Sequence, residues 1–171
     1  MKQKLAIARA ILHEPATLFL DEPTAGLDPE AARLVRDFVE DLKTEGRTIF
    51  LCTHNLDEAD RLCSQIGVFK QRLIRVDTPS RMKTAVFGRQ VEFRLKQAGP
   101  ALVDFARRFD FVKQTTLDDQ RLILGLDNPE ESNPIIIRTL VEAGFDVQFV
   151  SEVRHSLEEV YFSLINEGNS R

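Results

Sequence analysis

Two strand-forming runs, Thr17-Leu18-Phe19-Leu20 and Thr48-Ile49-Phe50-Leu51-Cys52-Thr53, are separated by a single amphipathic helix, and this order constrains the fold more than any other feature. Strands joined through a helix lie parallel, and the crossover is right-handed. The joining helix is marked at both ends. Asp28 can cap it, Pro29 suits its first position, Leu34, Val35, Phe38, Val39 and Leu42 keep one face apolar, and Gly46 stops it. The unbroken apolar character of the first run predicts a strand buried on both faces. An earlier helix, 1–13, carries Leu5, Ala8, Ile11 and Leu12 on one face and ends before Pro15. Its start mimics a signal peptide, but Arg9 interrupts the apolar stretch too soon for export. This module is α/β.

After a third helix begun by Asn55, with Glu58 three residues on as a capping box, the pattern changes. Ile66–Phe69 and Leu73–Val76 read as a hairpin around Lys70-Gln71-Arg72. The remainder reads strand (91–95), helix (100–109), strand (111–116), strand (121–126), helix (131–143) and strand (146–151), the split βαβ order of ferredoxin-like sandwiches. A last helix opens with Ser156 and Glu159 as a capping box and lines up Leu157, Val160, Tyr161, Leu164 and Ile165. Residues 1–69 carry a net charge of −4, residues 70–100 carry +6, and residues 101–171 carry −6. The basic block includes the turn residues Pro79, Ser80 and Gly88 and is expected to be a solvated linker face, which places a domain boundary near residue 87, with modules 1–86 and 87–171.

A chain that is 43% hydrophobic and 29% charged is not a disordered one. No run approaches the roughly 18 apolar residues of a membrane span. Cys52 and Cys63, set in apolar stretches without paired spacing, form neither a disulfide framework nor a zinc quartet, so a reducing compartment is expected.

The chemistry is expected where the parallel strands end. Asp21-Glu22 follows the first strand and Thr53-His54 ends the second, so two carboxyl groups and an imidazole should face one crevice at the sheet edge where open α/β folds bind ligands. Adjacent acids repel unless a cation or a proton-transfer role employs the second one, and Mg²⁺ would relieve that repulsion.

Leu18-Phe19-Leu20-Asp21-Glu22-Pro23, Ala25-Gly26-Leu27-Asp28 and Thr53-His54 together resemble the Walker B strand, D-loop and switch histidine of an ABC-transporter nucleotide-binding domain. Met1-Lys2-Gln3-Lys4-Leu5-Ala6-Ile7-Ala8-Arg9-Ala10 is similar to the tail of the family's signature segment and the helix it begins. The later module and its Ser156–Tyr161 helix look like the C-terminal extension of drug- and antibiotic-exporter ATPases. The resemblance implies a partial P-loop NTPase sheet followed by a small α+β ferredoxin-like domain. It implies ATP and Mg²⁺ as ligands, with Asp21 holding the metal through water, Glu22 orienting or deprotonating the attacking water and His54 sensing the γ-phosphate. Gly26 and Asp28 would contact a second nucleotide-binding subunit, and Asp28 can cap its helix as well. Membrane-spanning subunits would be the other partners, at the cytoplasmic face of the membrane.

No Gly-x-x-x-x-Gly-Lys-Ser/Thr occurs in the 171 residues, and the family's glutamine loop is also missing. The resemblance therefore implies an N-terminally truncated chain with negligible ATP affinity alone, whose second strand has an unpaired edge prone to association. The rival reading is a non-catalytic remnant that binds or regulates an intact subunit. An in-frame phosphate loop in the DNA upstream of Met1 would favour truncation, and an immediate stop codon a remnant. His13 reads as a helix C-terminal cap, and His155 has no second ligand at metal spacing. The strand Arg121–Leu126 lacks aromatic residues on which bases would stack, which argues against nucleic acid as a partner.

Overall fold

Asp28 stands in an extended conformation and accepts the Ala31 N–H at 2.8 Å, and with Pro29 behind it this starts the helix that organises the first half of the chain. In the computed structural model, which describes residues 2–97 and 99–167, the elements are α1 (Lys2–Ile11), β1 (Thr17–Asp21), α2 (Pro29–Thr44), β2 (Thr48–Cys52), α3 (Leu56–Leu62), β3 (Ile66–Lys70), β4 (Arg72–Asp77), α4 (Pro79–Phe87), β5 (Gln90–Leu95), α5 (Pro100–Ala106), β6 (Val112–Asp118), β7 (Arg121–Leu126), α6 (Pro129–Glu142), β8 (Val147–Glu152) and α7 (Leu157–Glu167). Met1, the first residue of the segment similar to the signature tail, lies outside the described residues. The chain forms two compact units, Met1–Pro79 and Ser80–Arg171.

In the first unit β1 and β2 pair in parallel, Thr17 opposite Thr48 through Asp21 opposite Cys52. Leu18 and Leu20 point to one side and form a core with Val39 and Leu42 of α2 and Leu62 of α3. The other side differs from the sequence expectation. Phe19 is 74% exposed and Phe50 54% exposed, and the two rings stack on each other at 5.0 Å. An apolar run is buried on both faces only where helices cover both, and the described helices bury one side of this strand. Cys52 shares the open side and is exposed, whereas Cys63 is partly buried and its thiol is pushed up by that burial. β3 and β4 pair as an antiparallel hairpin that turns at Gln71, whose φ is 51°.

The second unit closes its own core. Its antiparallel sheet has the order β6-β7-β5-β8, with the middle strands β7 and β5 supplying Val91, Phe93, Leu95, Leu122 and Leu124, all 0–1% exposed. Leu102 and Ala106 of α5 and Ile136 and Leu140 of α6 complete it. This order and direction are those of the split βαβ sandwich. Ser156 and Glu159 form the reciprocal capping box of α7, Ser156 N–H donating to Glu159 at 2.9 Å and Glu159 N–H to Ser156 Oγ at 3.2 Å. The segment expected as linker contains α4, with Met82 fully buried. The basic block meets acids: Arg75 pairs with Asp77, Arg94 with Glu92, and Arg89 with Glu130 and Glu152.

Candidate functional site

Because β1 and β2 run parallel and in register, the residues that follow them leave the sheet side by side. Glu22 N–H donates to Cys52 O at 2.8 Å, continuing the ladder one step beyond Asp21. There the chain turns sharply, since Glu22 has φ 45° immediately before Pro23. This turn swings the Glu22 carboxylate across to the end of β2. Its Oε1 lies 2.6 Å from His54 Nδ1 and accepts the His54 backbone N–H at 2.8 Å, while Oε2 accepts from Thr53 Oγ1 at 3.2 Å. The His54 contact is the main reason the Glu22 carboxyl titrates below the ordinary carboxylate value, with Thr53 adding to it against a desolvation effect in the other direction.

The site is open to solvent. The His54 side chain is 85% exposed and that of Glu22 is 32% exposed, so their attraction is screened and easily broken. Asp21, exposed at the end of β1, stands next to Glu22 along the chain and opposite Cys52. Gly26 adopts φ 69° in a turn where Ala25 N–H donates to Glu22 O and Leu27 N–H to Thr24 O. No atom of the described residues lies where a Cβ at Gly26 would go, so its backbone conformation is what favours glycine. Asp28 is engaged as the cap of α2.

The structure thus brings Glu22 and His54 into contact, leaves Asp21 beside them, and sets Gly26 and Asp28 on the loop that leaves Glu22. No role was read from the sequence for Thr53 or Thr24, nor for the part Glu58 takes. The Asn55 side chain does accept the Glu58 N–H at 3.1 Å, but the reciprocal arm of the expected capping box is not made, because Asn55 N–H donates to Thr53 Oγ1 at 3.0 Å. Glu58 turns inward instead and accepts from Thr24 Oγ1 at 3.0 Å. The signal that could have found it is a threonine two residues after the acid and a glutamate four residues after the histidine. His13 is exposed, and His155 stacks on Phe87 at 3.9 Å with its ring nitrogens facing Gln90 and Glu159, which makes it a packing residue of the second unit.

Among the described residues no group of three or more His, Cys, Asp or Glu side chains could hold a metal ion by itself. A lone exposed carboxylate such as Asp21 fits Mg²⁺, which keeps several waters and is commonly bound through one or two carboxylates together with substrate phosphates.

A family model described as "AAA domain, putative AbiEii toxin, Type IV TA system" matches residues 1–60. A fluoroquinolones export ATP-binding protein of Mycobacterium tuberculosis is 43% identical over 103 residues, covering 60% of this chain and 34% of the relative. The daunorubicin resistance ATP-binding protein DrrA3 of Streptomyces coeruleorubidus is 32% identical over 170 residues, covering 98% of this chain and 53% of the relative. A solved ATP-binding subunit of an ABC transporter is 34% identical, with a TM-score of 0.47 over 50% of this chain and 36% of that one. The chain spans between a third and about half of the curated relatives it matches. Both of its units are covered by such relatives, so the chain is homologous, over the part it spans, to ATP-binding proteins of ABC transporters.

Proposed function

We propose that this chain carries the hydrolytic half of an ATP site that powers export, and that it works only with a segment or partner supplying a phosphate-binding loop. The observation that carries the proposal is the Glu22–His54 contact at the ends of two parallel strands. When bound with nucleotide, Mg²⁺ would neutralise charge on the phosphate oxygens, and Asp21 is the residue to hold it through water. Glu22 is the candidate base. Its carboxyl is held ionised by His54 and so can orient or accept a proton from an attacking water. His54, largely exposed, is free to leave Glu22 for a phosphate oxygen. The contact seen here is then the resting arrangement, which must open before Glu22 can serve water. Positioning and charge stabilisation supply most of the acceleration in such transfers, so the residues need correct placement more than unusual reactivity.

Gly26 and Asp28, on the loop after the acids, are proposed to meet a second nucleotide-binding subunit, with membrane-spanning subunits as the other partners. No described helix is long and apolar enough to cross a membrane, and the reading puts the chain at the cytoplasmic face. In a protein that includes the phosphate loop, Glu22→Gln should retain ATP binding and lose turnover by roughly a hundred- to ten-thousand-fold. Unchanged hydrolysis would remove Glu22 from the mechanism. This chain alone should show negligible heat of ATP binding, and saturable binding at micromolar nucleotide would overturn the need for a complement. The rival reading, a non-catalytic remnant that binds or regulates an intact subunit, predicts that this chain binds such a subunit while Glu22→Gln leaves that binding unchanged.

A further inference from the structure

Behind the exposed Glu22–His54 contact lies a second cross-link between the same two segments, and this one is partly buried. Thr24 follows Glu22 by two residues and Glu58 follows His54 by four, so Thr24 Oγ1 donating to Glu58 Oε2 at 3.0 Å makes an inner rung parallel to the outer one. Glu58 is 2% exposed. Its other oxygen, Oε1, accepts no hydrogen bond among the described residues and has Arg36 Nη1 of α2 at 3.9 Å. A carboxyl group placed so deep with one oxygen poorly served is costly, and a side chain turned to solvent would avoid that cost. Helix capping does not require it, because the Asn55 side chain caps α3. What the inward position achieves is to tie the loop after Glu22 to α3, beside α2.

We propose that Glu58 is a positioning residue, the bond from Thr24 to its buried carboxylate keeping the Glu22 loop and the His54 segment at a fixed separation while the outer Glu22–His54 contact opens and closes. The need for the outer contact to open rests on the nucleotide reading above. The tie itself is a property of the chain without nucleotide. Past the last ladder bond, from Glu22 N–H to Cys52 O, a solvent-exposed rung is weak and would leave the loop after Glu22 loosely held each time it broke. With the inner rung intact, the acid and the imidazole separate by side-chain rotation and find each other again.

Amide exchange followed by NMR on the whole 171-residue chain without nucleotide tests this. The His54 N–H, which donates to Glu22 Oε1 at 2.8 Å, reports on the outer rung. Thr24→Val and Glu58→Ala should each speed its exchange by about tenfold or more, as expected for losing a hydrogen bond to a carboxylate. Amides within β1 and β2 should change by less than about twofold, the signature of a local opening. Glu58→Gln keeps a carbonyl oxygen for Thr24 and should restore the His54 amide to near its original rate. Equal acceleration throughout the first unit would mean that Glu58 only supports stability, and an unchanged His54 amide in Thr24→Val would remove the tie. Should Glu58→Ala fail to fold, Thr24→Val decides, since Thr24 is only partly buried. If the nucleotide reading alone is wrong, this exchange pattern persists while Glu22→Gln leaves hydrolysis unchanged.

Discussion

Phe93 of β5 is fully buried between α5, α6 and its neighbouring strands, whereas Phe19 of β1 is 74% exposed and touches the half-exposed Phe50. Both residues occupy the middle of a strand with alternating burial. The difference lies in what each sheet is given to pack against. The second unit brings two helices to one face of four strands and completes a core from its own sequence. The first brings α2 and α3 to one face of two strands and leaves an aromatic pair on the other. Sheet patterning alone therefore does not decide burial, and the number of covering layers does.

Truncation of the two phenylalanines tests the contrast most strongly. Phe93→Ala should lower the stability of the second unit by about 3–5 kcal/mol in denaturant titration, the usual cost of emptying an aromatic site in a core. Phe19→Ala should change the first unit by less than about 0.5 kcal/mol, as for other surface substitutions, and should reduce light scattering at high concentration because it shrinks an exposed apolar patch. Comparable losses at the two positions would break the comparison. Leu20→Ala, on the covered side of β1, should cost about 2–3 kcal/mol, at the low end for leucine because a two-stranded sheet can relax. Asp28→Ala should cost about 1 kcal/mol by removing the α2 cap. The smallest effect concerns pH. Arg89 holds the Glu130 carboxyl down from 4.5 to about 2, so the pairing contributes stability above pH 4.5 that is lost as pH falls toward about 2. Glu130→Gln should flatten that acid limb of the second unit's melting curve and leave the first unit unchanged.

Local chemistry was legible in the sequence and tertiary chemistry was not. The Asp28 cap, the Ser156–Glu159 box and the strand and helix order of the second unit follow from residues within one turn or one element of each other. Glu22 and His54 could be brought to one edge because parallel strands end together. The one-sided burial of β1 could not be read from Leu18-Phe19-Leu20, since it depends on what packs on the sheet. Helix α4 was hidden by Pro79, Ser80 and Gly88, which mark its two ends as readily as they mark a linker. Glu58 satisfied a local motif that its side chain does not use, and its partner Thr24 lies 34 residues away.

The left-handed backbone at Glu22 sets stability and chemistry against each other. A residue with a side chain at φ 45° costs roughly 1–3 kcal/mol, and the following proline restricts how the chain can relax. Glycine at this position would suit the turn better, but it would delete the carboxylate and its bonds to Thr53 and His54. Selection by thermal resistance alone would weigh that relief against those bonds and take no account of the carboxylate proposed here as the base.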